Sequence, residues 1–260
     1  MIKRLFSLKL PGMGYVFDFQ DALHYEHLMS RSENRLAVAR EARLLLDMLN
    51  PMDGNTVLDI GCGTGMNLRT LLDEGLQVTG LDASPYMMDI VERKFGNRVD
   101  LHRGMAEDLP FEDNTFNYAC MTNTLEFVED PQRVIEEACR VTRDKLYVGI
   151  LNRYAINGIQ LRVKGVFTKT IYNRARFFSI WELKKMVRNL MGDVPISWRT
   201  TCQLPTMFGE MAHKIEQINA VQRCPFGSFV GMVITLVPRF RTKPLSLRYR
   251  PKHTTGEATG

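Results

Sequence analysis

The sequence predicts a parallel, doubly wound α/β sheet. Three observations carry that expectation. Residues 56–66 read Thr-Val-Leu-Asp-Ile-Gly-Cys-Gly-Thr-Gly-Met, an apolar strand that runs through Asp59 into three alternate glycines. Short apolar runs alternate with helical patterns from about residue 33 to residue 150, the rhythm of strands joined by crossover helices. The second apolar run ends on Asp82, and ligands of such sheets sit at the carboxyl ends of strands.

The elements follow in order. Residues 1–32 are mixed, with an amphipathic helical pattern around His24, Tyr25 and His27, and read as a lid segment. A helix is expected over 33–49, where Leu36, Ala39, Leu44, Leu45 and Met48 form a stripe. Asn50-Pro51 and Asp53-Gly54 stop it. The first strand is 56–60, and the helix after the glycines runs from 66 to about 74. The second strand, 77–81, leads to Ser84-Pro85, an N-cap and first-turn pair that opens a helix to 95. Strands follow at 99–103 and 116–121. Asp130-Pro131 opens a helix to about 142, before a strand at 145–150. Ser179 and Glu182 form a capping box ahead of a helix over 181–191. Strands near 195–203 and 228–237, with a helix over 207–222 between them, complete the pattern.

Composition narrows the class. A chain of 260 residues with 45% hydrophobic and 24% charged content supports one large domain with a cap. No run reaches the ~18 apolar residues of a membrane span, and the basic N-terminus lacks the apolar core of a signal peptide, so a cytoplasmic protein is expected. The five cysteines are scattered with no Cys-x-x-Cys pair, so neither zinc nor a disulfide framework is expected. Residues Arg239 to Gly260 hold six Lys/Arg and one acid, which equals the chain's whole net charge of +5. This Pro- and Thr-containing stretch reads as a disordered basic tail, either merely solvated or a contact for a membrane surface, nucleic acid or partner.

Glycine gives a ligand room to approach the main chain, and a glycine turn between strand and helix suits a nucleotide or adenosyl group. The dinucleotide pattern Gly-x-Gly-x-x-Gly/Ala places its last small residue at Met66, which disfavours a nicotinamide cofactor. With Asp59, the run Gly61, Gly63 and Gly65 closely resembles motif I of class I S-adenosylmethionine (SAM) methyltransferases. Gly104-Met105-Ala106-Glu107-Asp108-Leu109-Pro110-Phe111 is similar to the adenine-covering loop of the same enzymes, with Met105 standing where they commonly carry Asp. The stretch from Met121 to Val128 is similar to their motif IV, and Asn117 stands where Asp is usual. The resemblance covers about residues 35–150 and is nearest to the methyltransferase type 11 group, which includes ubiquinone and menaquinone C-methyltransferases.

That resemblance implies a Rossmann-like, seven-stranded, mostly parallel sheet with its last strand antiparallel, over 33–238. It implies SAM as the cofactor, held by Asp59, Gly61, Cys62, Gly63, Gly65, Asp82, Ala83, Met105, Ala106, Glu107, Thr122 and Asn123. Asp82 would meet the ribose, Ala106 the adenine through its backbone, and a carbonyl near Thr122 or Asn123 the cofactor's ammonium. SAM carries an activated methyl group, so alignment suffices and a general base is needed only if the acceptor loses a proton. His24 is the candidate base and Tyr25 a candidate aromatic lid.

The acceptor expected is a small molecule. Residues 151–181 form a cap with six cations (Arg153, Arg162, Lys164, Lys169, Arg174 and Arg176), interleaved aromatics and no acid, which suits an anionic or lipid-like acceptor. An RNA methyltransferase using cap and tail on phosphates, and a SAM-binding protein without transferase activity, are the alternatives; Met105 and Asn117 encourage the latter. Nothing in the residues specifies oligomeric state.

Overall fold

The computed structural model describes residues 14–155, 174–201 and 219–237. Helix α1 spans Phe19–Ser30 and α2 spans Ser32–Leu49. Then come β1 (Thr56–Ile60), α3 (Met66–Asp73), β2 (Gln77–Asp82), α4 (Pro85–Phe95), β3 (Asp100–Arg103) and β4 (Phe116–Thr122). Helix α5 (Pro131–Val141), β5 (Thr142–Leu151), α6 (Ile180–Met191), β6 (Ile196–Thr201), the short α7 (Asn219–Gln222) and β7 (Phe229–Thr235) complete the described chain.

The sheet has seven strands in the order β3-β2-β1-β4-β5-β7-β6. Strands β1 to β5 pair in parallel, whereas β7 runs antiparallel to both β5 and β6. This is the expected Rossmann-like sheet. The order reverses between β1 and β4, and the crevice at their carboxyl ends is where such sheets bind ligands.

Each face of the sheet buries a separate apolar layer. On one side Leu44 and Leu45 of α2, Leu68 and Leu71 of α3 and Val91 of α4 pack on Val57, Val78 and Cys120. On the other, Val134, Ile135 and Ala138 of α5 and Leu183 and Val187 of α6 pack on Leu58, Leu146, Val148 and Ile234. Burying both faces explains why β1, β4 and β5 read as continuous apolar runs rather than alternating ones.

The caps fall where the sequence places them. Ser84 accepts from the Met87 amide, Asp130 from the Gln132 and Arg133 amides, and Ser179 and Glu182 form both halves of the capping box. The main boundary difference is β5, which starts at Thr142 rather than 145. Thr142 donates its hydroxyl to the Ala138 carbonyl at 2.6 Å, so one residue closes α5 and opens the strand. The central part of the cap over 151–181, most of the helix expected at 207–222, the first residues of the lid and the basic tail lie outside the described residues.

Candidate functional site

The glycine turn connects β1 to α3 directly over the sheet's reversal point. Gly61, Gly63 and Gly65 all take positive φ, at 71°, 52° and 81°, a region that favours residues without Cβ. Their roles differ. A Cβ on Gly61 would lie 2.5 Å from Thr124 Cγ2, and one on Gly65 would lie 2.7 Å from the Phe95 ring. A Cβ on Gly63 would meet nothing within 4 Å, because Gly63 borders an open cleft lined also by Gly61, Asp82, Met105 and Asn123.

Asp82 holds the turn in shape. Its carboxylate accepts from the Gly63 amide at 2.9 Å and from the Ser84 amide at 2.8 Å. Burial raises its proton affinity, and the amides of Ser84, Gly63 and Ala83 oppose that rise. Ala83, Ala106 and Glu107 complete this wall, and Glu107 accepts from the Glu129 amide at 3.1 Å. Thr122 and Asn123 close the end of β4. Asn123 takes a φ of 55° and donates its amide to the Gly149 carbonyl at 2.9 Å.

The opposite wall is aromatic. The segment from Gly14 to Phe17 straps across the cleft. It is pinned by the Tyr15 amide on the Phe127 carbonyl at 2.7 Å and by the Ser84 hydroxyl on the Phe17 carbonyl at 2.7 Å. Phe17 stands edge-on to Phe127 at 5.2 Å and to Tyr25 at 5.9 Å between ring centroids. The Tyr15 hydroxyl bonds Asp21, accepts from Arg174, and lies beneath the Arg174 guanidinium, 4.5 Å above the ring. Burial and the Asp21 contact push this phenol's proton affinity up.

Most expected cofactor residues converge here: Gly61, Gly63, Asp82, Ala83, Met105, Ala106, Glu107, Thr122 and Asn123 line the cleft, and Cys62 lines an adjoining recess. Two do not. Asp59 is 1% exposed, lies beneath the turn, and accepts from the Cys120 thiol at 3.5 Å. Burial raises its carboxyl to about 7. Gly65 is the N-cap of α3 and packs against Phe95. Both are supports of the turn rather than walls of the cleft.

The two expected catalytic residues separate by helical phase. Ala22 and Tyr25, three positions apart, face inward, and Tyr25 lines the cleft. His24 lies on the exposed side of α1 and is not among the cleft residues.

Asn117 also reads differently in the structure. It stands at the amino end of β4, accepts from the Thr56 amide and hydroxyl at 3.2 and 3.1 Å, and donates to Asp144 at 3.0 Å. Its departure from the usual Asp therefore belongs to the far end of the sheet. Of the cap's six cations, the three described are engaged structurally. Arg153 bonds the Phe177 carbonyl and Glu182, Arg174 clasps Tyr15, and Arg176 lies over the Phe178 ring. No cluster of metal-ligating side chains occurs among the described residues.

Sequence reasoning missed Glu41, Thr64 and the strap residue Phe17. Glu41 had a signal: a carboxylate in the apolar stripe of α2, three positions from Val38 and from Leu44.

Comparison with known proteins supplies the family. Residues 58–148 match the family described as a methyltransferase domain. An uncharacterised protein of Methanocaldococcus jannaschii is 30% identical over 177 residues, covering 67% of this chain and 79% of that protein. The demethylmenaquinone methyltransferase of Renibacterium salmoninarum is 35% identical over 104 residues, or 40% of this chain, and the match spans only 44% of that enzyme. Among solved structures, a Thermotoga maritima protein described as a SAM-dependent methyltransferase, possible histamine N-methyltransferase, superposes with a TM-score of 0.64 at 25% identity. That superposition covers 84% of this chain and 96% of the other. Sheet order, glycine turn and relatives agree, and the chain belongs to the class I SAM-dependent methyltransferases.

Proposed function

We propose that the protein transfers the methyl group of SAM to a small-molecule acceptor with an apolar body. The observation that carries this reading is the pair of facing walls: a glycine turn with Asp82 on one side, and Tyr15, Phe17, Tyr25 and Phe127 on the other.

The residues present fit the cofactor. The space beyond Gly63 is where a Cβ would project, so the turn leaves room for a ligand against its backbone. The Asp82 carboxylate suits the paired hydroxyls of a ribose. Ala106 can meet the adenine through its backbone, and Met105, in place of an acid, offers an apolar surface to the ring. Thr122 Oγ1 and Asn123 Oδ1 are buried without a partner, and such groups call for a polar ligand. When bound, SAM supplies a methyl group already activated by its sulfonium.

The chain's own work is alignment and exclusion of water. The strap and the Phe127 ring cover the cleft, and Tyr25 closes it from α1. Transfer would follow an in-line displacement, with the acceptor held on the aromatic side. The engagement of Arg153, Arg174 and Arg176 within the fold shifts the reading away from an anionic acceptor toward one recognised by its apolar surface.

The test is incubation with methyl-labelled SAM and a panel of quinols, phenols, amines and thiols, following S-adenosylhomocysteine (SAH) and the labelled product by mass spectrometry. Turnover with at least one small acceptor is expected. Tight SAH binding with no product across the panel would instead favour a SAM-binding protein without transferase activity.

A further inference from the structure

A second recess lies behind the glycine turn and shares Tyr25, Gly61, Gly63, Thr122 and Asn123 with the main cleft. Among the residues it adds are Glu41 from α2 and Thr64 from the turn. Three of its side-chain oxygens are buried without a hydrogen bond: Oγ1 of Thr64, which is 0% exposed, Oγ1 of Thr122 and Oδ1 of Asn123. Glu126, 2% exposed, approaches from the loop after β4. One of its oxygens accepts from the Leu151 amide at 2.7 Å, and the other is unpartnered. No Lys or Arg is among the recess residues described.

The Lys94 ammonium reaches only the Thr64 carbonyl, at 2.9 Å, and is paired with Glu26. Acceptors and carboxyls gathered in a recess with no cation among its described lining residues suit a ligand that brings donors and positive charge together. A primary ammonium does so, with three N–H donors and no acceptor. The other end of the recess has the opposite polarity. Met66 and Asn67, the first residues of α3, line it, and Gly65 leaves the helix without a side-chain cap. Free amides at a helix N-terminus favour a carboxylate. The recess is thus bipolar and matches the zwitterionic head of an amino acid.

We propose that Glu41 is the anionic recognition residue for the α-ammonium at the amino-acid end of the cofactor, and that its carboxyl releases a proton when that ammonium arrives. The proposal rests on the SAM reading above and adds to it a residue that lies outside the glycine turn and the strand-end motifs. Among the described residues, Glu126 and Tyr147 of β5 act on Glu41 electrostatically, and Tyr25 of α1 and Cys62 of the turn share its recess; none of these is a cation. Burial first, and the Glu126 charge second, raise the Glu41 carboxyl to about 8. Both effects favour the protonated carboxyl in the free protein. An arriving ammonium favours the carboxylate. The carboxyl O–H bond breaks, the proton passes to buffer, and a carboxylate–ammonium pair remains.

The experiment compares wild type with Glu41→Gln, which keeps size and shape. Calorimetric titrations use SAH and its analogue lacking the α-amino group, at pH 7, in buffers of different ionisation enthalpy. Wild type is expected to prefer SAH over the analogue by about tenfold or more, the effect of one charged hydrogen bond, and to release close to one proton with SAH. The variant is expected to bind the analogue as wild type does, which also reports that it is folded, while losing both the preference and the proton release. A variant that keeps the wild-type preference, or wild-type binding without proton release, overturns the proposal. An unchanged SAH preference with a raised KM for amine acceptors alone also overturns it, by assigning the ammonium to the acceptor. Wild type that binds neither SAH nor the analogue overturns the SAM reading itself, and the proposal with it.

Discussion

Alanine at Gly63 separates the fold from the site. Gly63 has a φ of 52° and its added methyl would touch no protein atom within 4 Å. The cost to the protein alone is the left-handed backbone, about 1 kcal/mol, or roughly 2–4 °C in melting temperature for a domain of this size. The same change at Gly61 adds a clash, because the methyl would lie 2.5 and 2.6 Å from Thr124 Cγ2 and Oγ1. Moving Thr124 releases its hydroxyl from the Ile60 carbonyl, now 2.9 Å away, and overpacking adds its own penalty, for a total of about 3 kcal/mol. With ligand the order reverses. The methyl at residue 63 occupies cleft volume and should weaken SAH by about 2 kcal/mol, some thirtyfold. Thermal melts without ligand and calorimetry with SAH measure the two quantities separately. If Gly63→Ala melts as expected yet binds SAH like wild type, the ligand does not lie against the turn.

Three further outcomes follow from the same geometry. Asp82→Ala should weaken SAH at least tenfold in calorimetry, since a hydrogen bond to a charged group contributes about 1.5–3 kcal/mol; unchanged affinity would remove the ribose assignment. Asn117→Ala should lower stability by about 1–3 kcal/mol in chemical denaturation while leaving SAH affinity within about twofold, because its bonds to Thr56 and Asp144 lie at the amino end of the sheet; a large loss of affinity in a folded variant would contradict this. The free protein should lose stability as pH rises from about 5 to 8. Burial raises the carboxyls of Asp59 to about 7 and Glu126 to about 8, so across that window the folded state holds protons that the unfolded chain has given up. Each group can then contribute a downward slope of up to about 1.4 kcal/mol per pH unit. Glu137 and Glu182 are shifted down and act below this window. Stability that is flat or rising in urea melts between pH 5 and 8 would show that these acids ionise freely.

The sheet and one wall of the cleft were legible because their signals are local. Strand, glycine turn and helix occupy consecutive residues, and Asp82 is placed by the parallel register of β1 and β2. The aromatic wall was not legible, since Tyr15 meets Phe127 and Phe17 meets Ser84 across long stretches of chain. His24 and Tyr25 are neighbours in sequence, and only the phase of α1 against the core tells them apart. Asn117 shows the converse error. A departure from a family pattern looks functional until the strand's direction puts it at the end away from the ligand. Glu41 broke the apolar stripe of α2 in plain view, but a lone acid on a helix has no assigned partner until α2 is docked over β5 and β7.

The clasp on Tyr15 has a kinetic consequence. One phenol of the strap, Tyr15, bonds Asp21 of α1 and Arg174 of the chain that returns from β5. Lifting the strap would part it from that returning segment, so on the function proposed above the cover of the cofactor and the approach to the acceptor would open together. Departure of spent cofactor and renewal of the acceptor would then share one opening rate, and loosening this single junction would speed both without touching any group that contacts the transferred methyl.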